Sequence, residues 1–151
     1  MSDRTIGIGI IVVRGDKILI GKRGPDCKRG AGLWALPGGH LEPNEQIEEC
    51  IKRELLEETG VKVRIPQRTF HESVFAVTDH LRHQSLNHLT FWALTFWDSS
   101  EAELKEPDKC TEWKWVTLDE IRDIEGTYDF ESSQFYWLPY PLLKRHLCEI
   151  C

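Results

Sequence analysis

The sequence predicts a single-domain α/β fold, and three segments carry that prediction. Residues 6–13 form an apolar run with the character of a buried strand. Residues 45–59 are strong helix formers, and Gly60 stands where a left-handed C-terminal cap belongs. Residues 88–97 are dense in aromatic and β-branched side chains, which is typical of a central strand. The 151 residues suffice for one core and contain no repeat or linker, so we expect one domain over residues 1–151.

A hairpin and a glycine turn are expected before the helix. Residues 17–21 follow a short polar break and predict an antiparallel partner for the first strand. Residues 23–32 are rich in glycine, proline and charge, which predicts a loop. Residues 33–36 predict a short strand running into Gly38 and Gly39, where the backbone can bend so that a carbonyl approaches a metal.

The helix over residues 45–59 has two chemically distinct faces. Glu54, Glu57 and Glu58 stand at i, i+3 and i+4, so their carboxylates share one face. A separate stripe repeats every four residues and would anchor the helix to a core. The members of that stripe are Ile47, Ile51 and Leu55.

Strands and a short helix are expected after Gly60. The predicted strands are 61–65, 69–77, 88–97 and 112–116, and the predicted loops are 78–85 and 99–109. Thr117 and Glu120 have the spacing of a capping box and predict a short helix. Residues 132–147 have helical character that Pro139 and Pro141 interrupt.

The composition limits the class of protein. A net charge of −6 argues against a protein that coats nucleic acid, so no nucleic-acid polymer is expected as a partner. No apolar run is long enough to span a membrane, and the first residues lack a signal-peptide pattern. Five cysteines, odd in number and mostly scattered, suit reduced thiols. We therefore expect a cytoplasmic protein with no membrane partner.

Three carboxylates on one helix face require neutralisation. Arg53 can orient one or two of them, and the remaining charge calls for a divalent cation. Because the ligands are hard oxygens with no Cys or His among them, they favour Mg²⁺, with Mn²⁺ as a substitute, over zinc. Two other groups have side chains that could bind a metal: His146, Cys148 and Cys151 in the tail, and His80, His83 and His88. A frayed tail and a polar loop are the favoured interpretations of these groups.

One segment of the chain resembles a known family signature. The pattern is Gly39-x5-Glu45-x7-Arg53-Glu54-Leu55-x-Glu57-Glu58-x-Gly60-Val61, and it matches the signature of the Nudix hydrolases at every defined position. The opening strand, the Leu-Trp-Ala-Leu-Pro-Gly-Gly run and the late Trp-Lys-Trp-Val-Thr-Leu-Asp-Glu-Ile run extend the likeness over nearly the whole chain. The resemblance implies an α/β/α sandwich with a mixed central sheet and a signature loop-helix-loop. It also implies metal-dependent hydrolysis of a nucleoside diphosphate linked to another moiety.

The resemblance assigns roles to the signature residues. It implies that one to three Mg²⁺ ions are held by Glu54, Glu57 and Glu58, with the Gly38 carbonyl as a further ligand. Either Glu57 or Glu54 would act as the general base. Arg53 would orient a neighbouring carboxylate without binding phosphate, and Glu45 would be an outer or secondary metal ligand.

Two further runs are similar to the MutT-like branch, which hydrolyses nucleoside triphosphates. They are Leu-Pro-Gly-Gly-His-Leu-Glu at 36–42 and Glu-Pro-Asp-Lys-Cys at 106–110. By this likeness Glu106 is the candidate for an added metal ligand or base, ahead of Asp108 and Glu112. The candidates for substrate binding are Lys22 and Arg23 near the phosphates, His40 near the metal, and Trp137, Leu36 and Thr90 around the base.

These patterns predict a magnesium-dependent pyrophosphohydrolase. Its substrate would be a nucleoside triphosphate, natural, oxidised or modified, split to monophosphate and pyrophosphate. Two alternatives stay open: a Nudix hydrolase of ADP-ribose, a nucleotide sugar, dihydroneopterin triphosphate or a prenyl diphosphate, and a non-catalytic nucleotide sensor. Homodimers are common in the branch, but nothing in the sequence fixes an interface.

Overall fold

A parallel pair of long strands forms the centre of the sheet in the computed structural model, which describes residues 5–28, 30–65, 74–78 and 88–125. β1 (Thr5–Arg14) pairs in parallel with the late strand His88–Ser99, from Thr5 opposite His88 to Val13 opposite Phe96. These segments are rich in apolar and β-branched residues, which fits strands buried on both faces. The apolar opening run predicted from the sequence is therefore confirmed as a central strand.

The remaining strands complete a mixed sheet. They are β2 (Lys17–Arg23), β3 (Trp34–Ala35), β4 (Gly38–His40), β5 (Lys62–Arg64), β6 (Val74–Thr78), β7 (His88–Ser99) and β8 (Cys110–Thr117). The main order is β3-β2-β1-β7-β5, with β8 on β2, β4 on β1 and β6 on β7. All pairings except β1–β7 are antiparallel. The predicted hairpin of the first two strands is present, with Val13 opposite Ile18 across the turn.

A helix covers each face of the sheet and closes one half of the core. α1 (Ile47–Glu58) buries Cys50, Ile51 and Leu55 against one face. α2 (Leu118–Glu125) buries Ile121 against the other face. Side chains of β1 alternate between the halves, because successive residues of a strand point to opposite faces. The predicted α/β/α sandwich is confirmed, and no helix in the described part of the chain is long and apolar enough to cross a membrane.

The helix predicted over 45–59 runs over Ile47–Glu58, so the prediction was two residues too long at the start and one at the end. The helix begins at Ile47, because Asn44 has a positive φ of 63° and Gln46 is extended, with a φ of −78° and a ψ of 153°. Gln46 caps the helix, and its backbone N–H donates to Glu49 at 3.2 Å. At the other end Gly60 has a φ of 75°, the left-handed conformation that its position predicted.

The later elements differ from the predictions mainly in length. Strand β5 is Lys62–Arg64, β6 is Val74–Thr78, and β7 continues to Ser99. The backbone N–H of Glu120 donates to Thr117 Oγ1 at 3.2 Å, so the predicted helix start is confirmed. The predicted loop 78–85 and helical segment 132–147 lie outside the described residues, except for Thr78 at the end of β6.

One edge of β1 opens where the candidate site lies. β4 pairs with the start of β1, from Gly7 opposite His40 to Gly9 opposite Gly38, whereas β2 pairs only at the far end. Gly38 has a φ of 156°, and a Cβ there would collide with the carbonyl of Ile8. The divergence of β2 from β4 leaves a cleft on the α1 side of the sheet.

Candidate active site

A cleft of about 520 Å³ lies between α1, β2, β4 and the loop that leads into β8. Acidic side chains reach it from α1 and from this loop, and cationic side chains reach it from β2 and the same loop. The charged and polar lining residues are Arg23, Cys27, His40, Glu42, Arg53, Glu54, Glu57, Glu58, Glu106, Lys109 and Cys110. The other lining residues are Gly21, Ala35, Leu36, Gly38, Gly39, Leu41, Pro43 and Trp113.

Glu54 and Glu58 form the buried end of the acidic face. Burial raises the pKa of Glu54, and the raising effect exceeds the opposing effect of Arg53. Burial also raises the pKa of Glu58 to about 8, with the charge of Glu54 as the next cause. The backbone N–H of Gly38 donates to Glu58 at 3.4 Å, which partly offsets this shift. Two neighbouring carboxyls that resist ionising together can accept a cation between them.

Arg53 contacts two carboxylates of the helix face, as expected, and in addition Glu45. Its Nε donates to Glu45 at 2.6 Å and its Nη1 donates to Glu54 at 2.9 Å. Nη1 also lies 3.4 Å from Glu57, and Nη2 donates to the carbonyl of His40 at 3.1 Å. Of the three carboxylates on the helix face, Arg53 therefore contacts two, Glu54 and Glu57, as expected, and the remaining N–H donors of its guanidinium serve Glu45 and His40.

The carboxylate of Glu45 forms an ion pair with Arg53. Both of its oxygens accept from the guanidinium, at 2.6 and 2.9 Å, and the backbone N–H of Glu42 donates to it at 3.1 Å. The hydrogen bonds from Arg53 are the largest cause that lowers the pKa of Glu45 to about 2. The side chain does not line the cleft, so the geometry favours a partner of Arg53 over the expected secondary metal ligand.

Glu106 reaches the cleft from the loop 100–109, as its resemblance predicted. Its carboxylate accepts from Lys109 Nζ at 3.0 Å, and its charge contributes to the raised pKa of Glu58. Two backbone N–H groups, of Lys109 and Cys110, donate to the Glu106 carbonyl and fix the turn. The weaker candidates Asp108 and Glu112 are exposed and do not line the cleft.

The predicted substrate residues divide between the cleft and other places. Arg23, Leu36 and His40 line the cleft. Lys22 does not, because it points to the opposite face of β2, where Nζ lies 5.9 Å from the ring centroid of Trp34. Thr90 lies on β7 opposite Gly7, but its side chain lies outside the description, and so does the whole of Trp137.

The cleft residues that reasoning from the sequence missed include Lys109, Cys110 and Trp113. Lys109 and Cys110 belong to the run that suggested Glu106, so the run itself was the available signal. Trp113 pairs with Gly21 across β2 and β8, and a Cβ at Gly21 would collide with the indole ring. The indole N–H of Trp113 is buried and has no hydrogen-bond partner among the described residues. An alternating glycine and tryptophan on paired strands cannot be recognised before the pairing is known.

The carboxylate oxygens in the cleft are ligands of the kind that a hard divalent cation prefers, although these side chains are not gathered around one point. Within the described ranges no three Asp, Glu, His or Cys side chains form a ready-made metal group. The carboxylate of Glu57 lies 3.4 Å from Arg53 Nη1, and the carboxylate of Glu106 lies 3.0 Å from Lys109 Nζ. Glu54 and Glu58 share the buried end, and Glu57 and Glu106 line the same cleft, so all four carboxylates border one space. We conclude that the residues fit Mg²⁺ or Mn²⁺.

Comparison with known proteins agrees with this geometry. A sequence model of the NUDIX domain matches residues 3–138. The oxidized purine nucleoside triphosphate hydrolase of Mus musculus is 30% identical over 151 residues, covering 98% of this chain and 86% of its own. The nucleoside triphosphatase NudI of Escherichia coli is 31% identical over 127 residues, covering 80% of this chain and 86% of its own.

A solved structure shares both the fold and part of the sequence. The MutT NUDIX hydrolase from Burkholderia pseudomallei superposes with a TM-score of 0.57 at 27% identity, covering 79% of this chain and 86% of that one. Coverage is not uniform among relatives, since the chain spans 20% of one curated relative and 58% of another.

Proposed function

This chain belongs to the Nudix hydrolase family, and we propose that it splits a nucleoside triphosphate into a monophosphate and pyrophosphate with the help of Mg²⁺. The observation that carries the proposal is the clustering of Glu54, Glu58 and Glu106 in one cleft that Arg23 and Lys109 also line. Carboxylates supply the oxygens that a magnesium ion prefers, and the cations suit the phosphates of a polyanion. An overall negative protein needs such local cations to admit this substrate.

Each charged residue has a defined task in this proposal. Glu54, Glu57 and Glu58 would hold the cation, with the Gly38 carbonyl and Glu106 as further ligands. When bound, such a cation would neutralise charge on the diphosphate and lower the pKa of the attacking water. Glu57 is exposed at the rim of the cleft, where a carboxylate can take a proton from water. Its alternative as general base is Glu54, whose pKa burial raises and whose carboxylate Arg53 fixes in direction.

The choice of a triphosphate over another diphosphate rests on relatives. Two curated relatives that match over most of this chain are named for nucleoside triphosphates. The cleft wall supports a planar ligand, because Leu36 and Trp113 provide an apolar side next to the charged end. We include oxidised and otherwise modified nucleotides in the proposed substrate class.

A hydrolysis screen tests the proposal. The panel holds natural and oxidised nucleoside triphosphates, ADP-ribose, NADH, a dinucleoside polyphosphate and a nucleotide sugar, each with and without Mg²⁺. Pyrophosphate and orthophosphate are measured separately. Magnesium-dependent release of pyrophosphate from triphosphates is the expected result, and Glu58→Gln is the inactive control.

Other outcomes would replace the proposal. Turnover of ADP-ribose or a nucleotide sugar alone would keep the hydrolase chemistry and overturn the substrate class. Binding of nucleotides without any turnover would favour a sensor on the same fold. Release of orthophosphate in place of pyrophosphate would place the attack at a different phosphorus.

A further inference from the structure

Two cysteines on separate segments line the same cleft. Cys27 lies in the loop that follows β2, and Cys110 is the first residue of β8. Both are partly exposed free thiols. The proposed hydrolysis gives neither sulfur a task, although both border the space next to Glu106 and Lys109.

Backbone contacts hold the two segments together. The N–H of Gly24 donates to the carbonyl of Lys109 at 2.8 Å, and Arg23 pairs with Cys110. A Cβ at Gly24 would collide with the carbonyl of Asp108, so the segments touch through their main chains. Neither segment can move away without losing these contacts, so the spacing of the thiols is set by the fold.

The sulfur of Cys27 lies close to the backbone that carries Cys110. Cys27 Sγ donates to the carbonyl oxygen of Lys109 at 3.6 Å. That oxygen is one peptide unit from the Cα of Cys110, so the sulfur lies within about 6.5 Å of this Cα by standard geometry. Burial is the main cause that raises the pKa of the Cys110 thiol, and the nearby Cys27 contributes to it, which places the two thiols within electrostatic reach of each other. The sulfurs of a disulfide lie about 2.05 Å apart, so both side chains must rotate and the Cys27 loop must move towards Cys110 for the bond to form.

We propose that Cys27 and Cys110 form a reversible disulfide, and that this thiol pair reacts with small disulfides such as oxidised glutathione. The thiolate of Cys27, on the loop with the exposed Pro25, Asp26 and Lys28, attacks one sulfur of the reagent and releases one glutathione. The thiolate of Cys110 then attacks Cys27 Sγ, forms the protein disulfide and releases the second glutathione. Two thiols lose two protons and two electrons, and the reagent gains both.

The disulfide would change the part of the cleft that Arg23 and Lys109 line, where the proposed substrate would place its phosphates. In the reduced protein Cys110 Sγ donates to the carbonyl of Glu112 at 3.3 Å, and a disulfide would replace this contact. The new bond would link the Cys27 loop covalently to the start of β8, next to Lys109 and to Arg23, the residue that pairs with Cys110. We expect a several-fold rise in KM with a smaller change in kcat, because the carboxylates on α1 are not touched. Reduction would reverse the effect, as in redox-sensing cytosolic disulfides.

Peptide mapping tests the site independently of catalysis. The folded full-length protein is incubated with oxidised glutathione, alkylated, digested without reductant and analysed by mass spectrometry. A peptide pair joining Cys27 to Cys110 is expected, and dithiothreitol should remove it. Cys27→Ser and Cys110→Ser should each abolish the pair, whereas the double variant Cys148→Ser/Cys151→Ser should keep it.

A stable glutathione adduct on Cys27 without the pair would overturn the proposal. So would a link that involves only Cys148 and Cys151, or one that forms only after unfolding in urea. The readout is the mass of a peptide, so failure of the proposed hydrolysis would not affect it. With an active enzyme, wild-type KM in the fully crosslinked protein would contradict the expected effect on the cleft.

Discussion

Gly39 lies directly against the carboxylate of Glu54, so that a Cβ built on this glycine would collide with the carboxylate atoms. β4 and α1 therefore approach each other at a point where only a hydrogen atom fits between them. The buried carboxylate is held between Gly39 on one side and the Arg53 guanidinium, 2.9 Å away, on another. Because residue 39 is a glycine, the carboxylate of Glu54 can lie directly beside β4, where it lines the cleft.

Gly39→Ala should displace Glu54 and lower turnover by one to two orders of magnitude. β4 is fixed to β1 by its pairing and cannot shift to make room for the added methyl group, so the Glu54 side chain must move instead. The measurement is kcat for the best substrate of the screen, with circular dichroism to check folding. Gly60→Ala is the control: its left-handed φ should cost about 1 kcal/mol of stability, with kcat unchanged. Equal loss of kcat in both variants would contradict the steric argument.

Glu58→Gln and Glu57→Gln should each lower kcat by orders of magnitude and leave the fold intact. The amide keeps the shape of the side chain but removes the charge that holds the cation. Glu48→Gln is the matched control on the same helix, since Glu48 does not line the cleft and pairs with the exposed Lys52 at 3.1 Å. Near wild-type activity of either cleft variant would refute the assignment of the metal site.

Glu45→Gln should separate the two roles considered for Glu45. If the residue only holds Arg53, the variant should lower kcat moderately and leave the affinity for Mn²⁺, measured by calorimetry, close to wild type. It should also destabilise the protein, because the partly buried Arg53 loses its bidentate partner. A loss of Mn²⁺ affinity as large as that of Glu58→Gln would restore the secondary-ligand role predicted from the sequence.

The metal-free protein should lose stability as the pH rises from about 5 to 8. Burial raises the pKa of Glu58 to about 8 from an ordinary value of 4.5, so the native state binds the proton more tightly than the unfolded chain. The stabilising contribution is present below the unfolded pKa and is lost as the pH rises through the folded one. Urea unfolding in EDTA across this range measures it. Glu58→Gln should flatten the dependence, and a stability that rises over this window would contradict the shift.

Lys109→Met should raise KM several-fold and change kcat less. The ammonium lies 3.0 Å from Glu106 and lines the cleft, so it can balance either this carboxylate or a substrate phosphate. Lys105→Met, a nearby exposed lysine that pairs with Glu103, is the control. If Lys109→Met instead lowers kcat at unchanged KM, then the lysine acts by positioning Glu106 and not by binding substrate.

The helix and its acidic face could be predicted because they depend on local geometry. Glu54, Glu57 and Glu58 share a face through the period of the α-helix alone, and Gly60 ends the helix through its own conformational freedom. The opening strand and the hairpin were equally accessible, since an apolar run and a short turn are local signals. The ends of α1 were less accurate, because the turn at Asn44 has no strong sequence signal.

The sequence alone determined the α/β class and the shared helix face of Glu54, Glu57 and Glu58. Only the tertiary structure decided that Glu45 pairs with Arg53, that Glu106 comes within electrostatic reach of Glu58, and that Arg23 enters the cleft while Lys22 does not. The physical reason is that these relationships join segments far apart in the chain or depend on which face of a strand meets α1. A sequence gives the alternation of a strand, but only packing against another element fixes which face is inside.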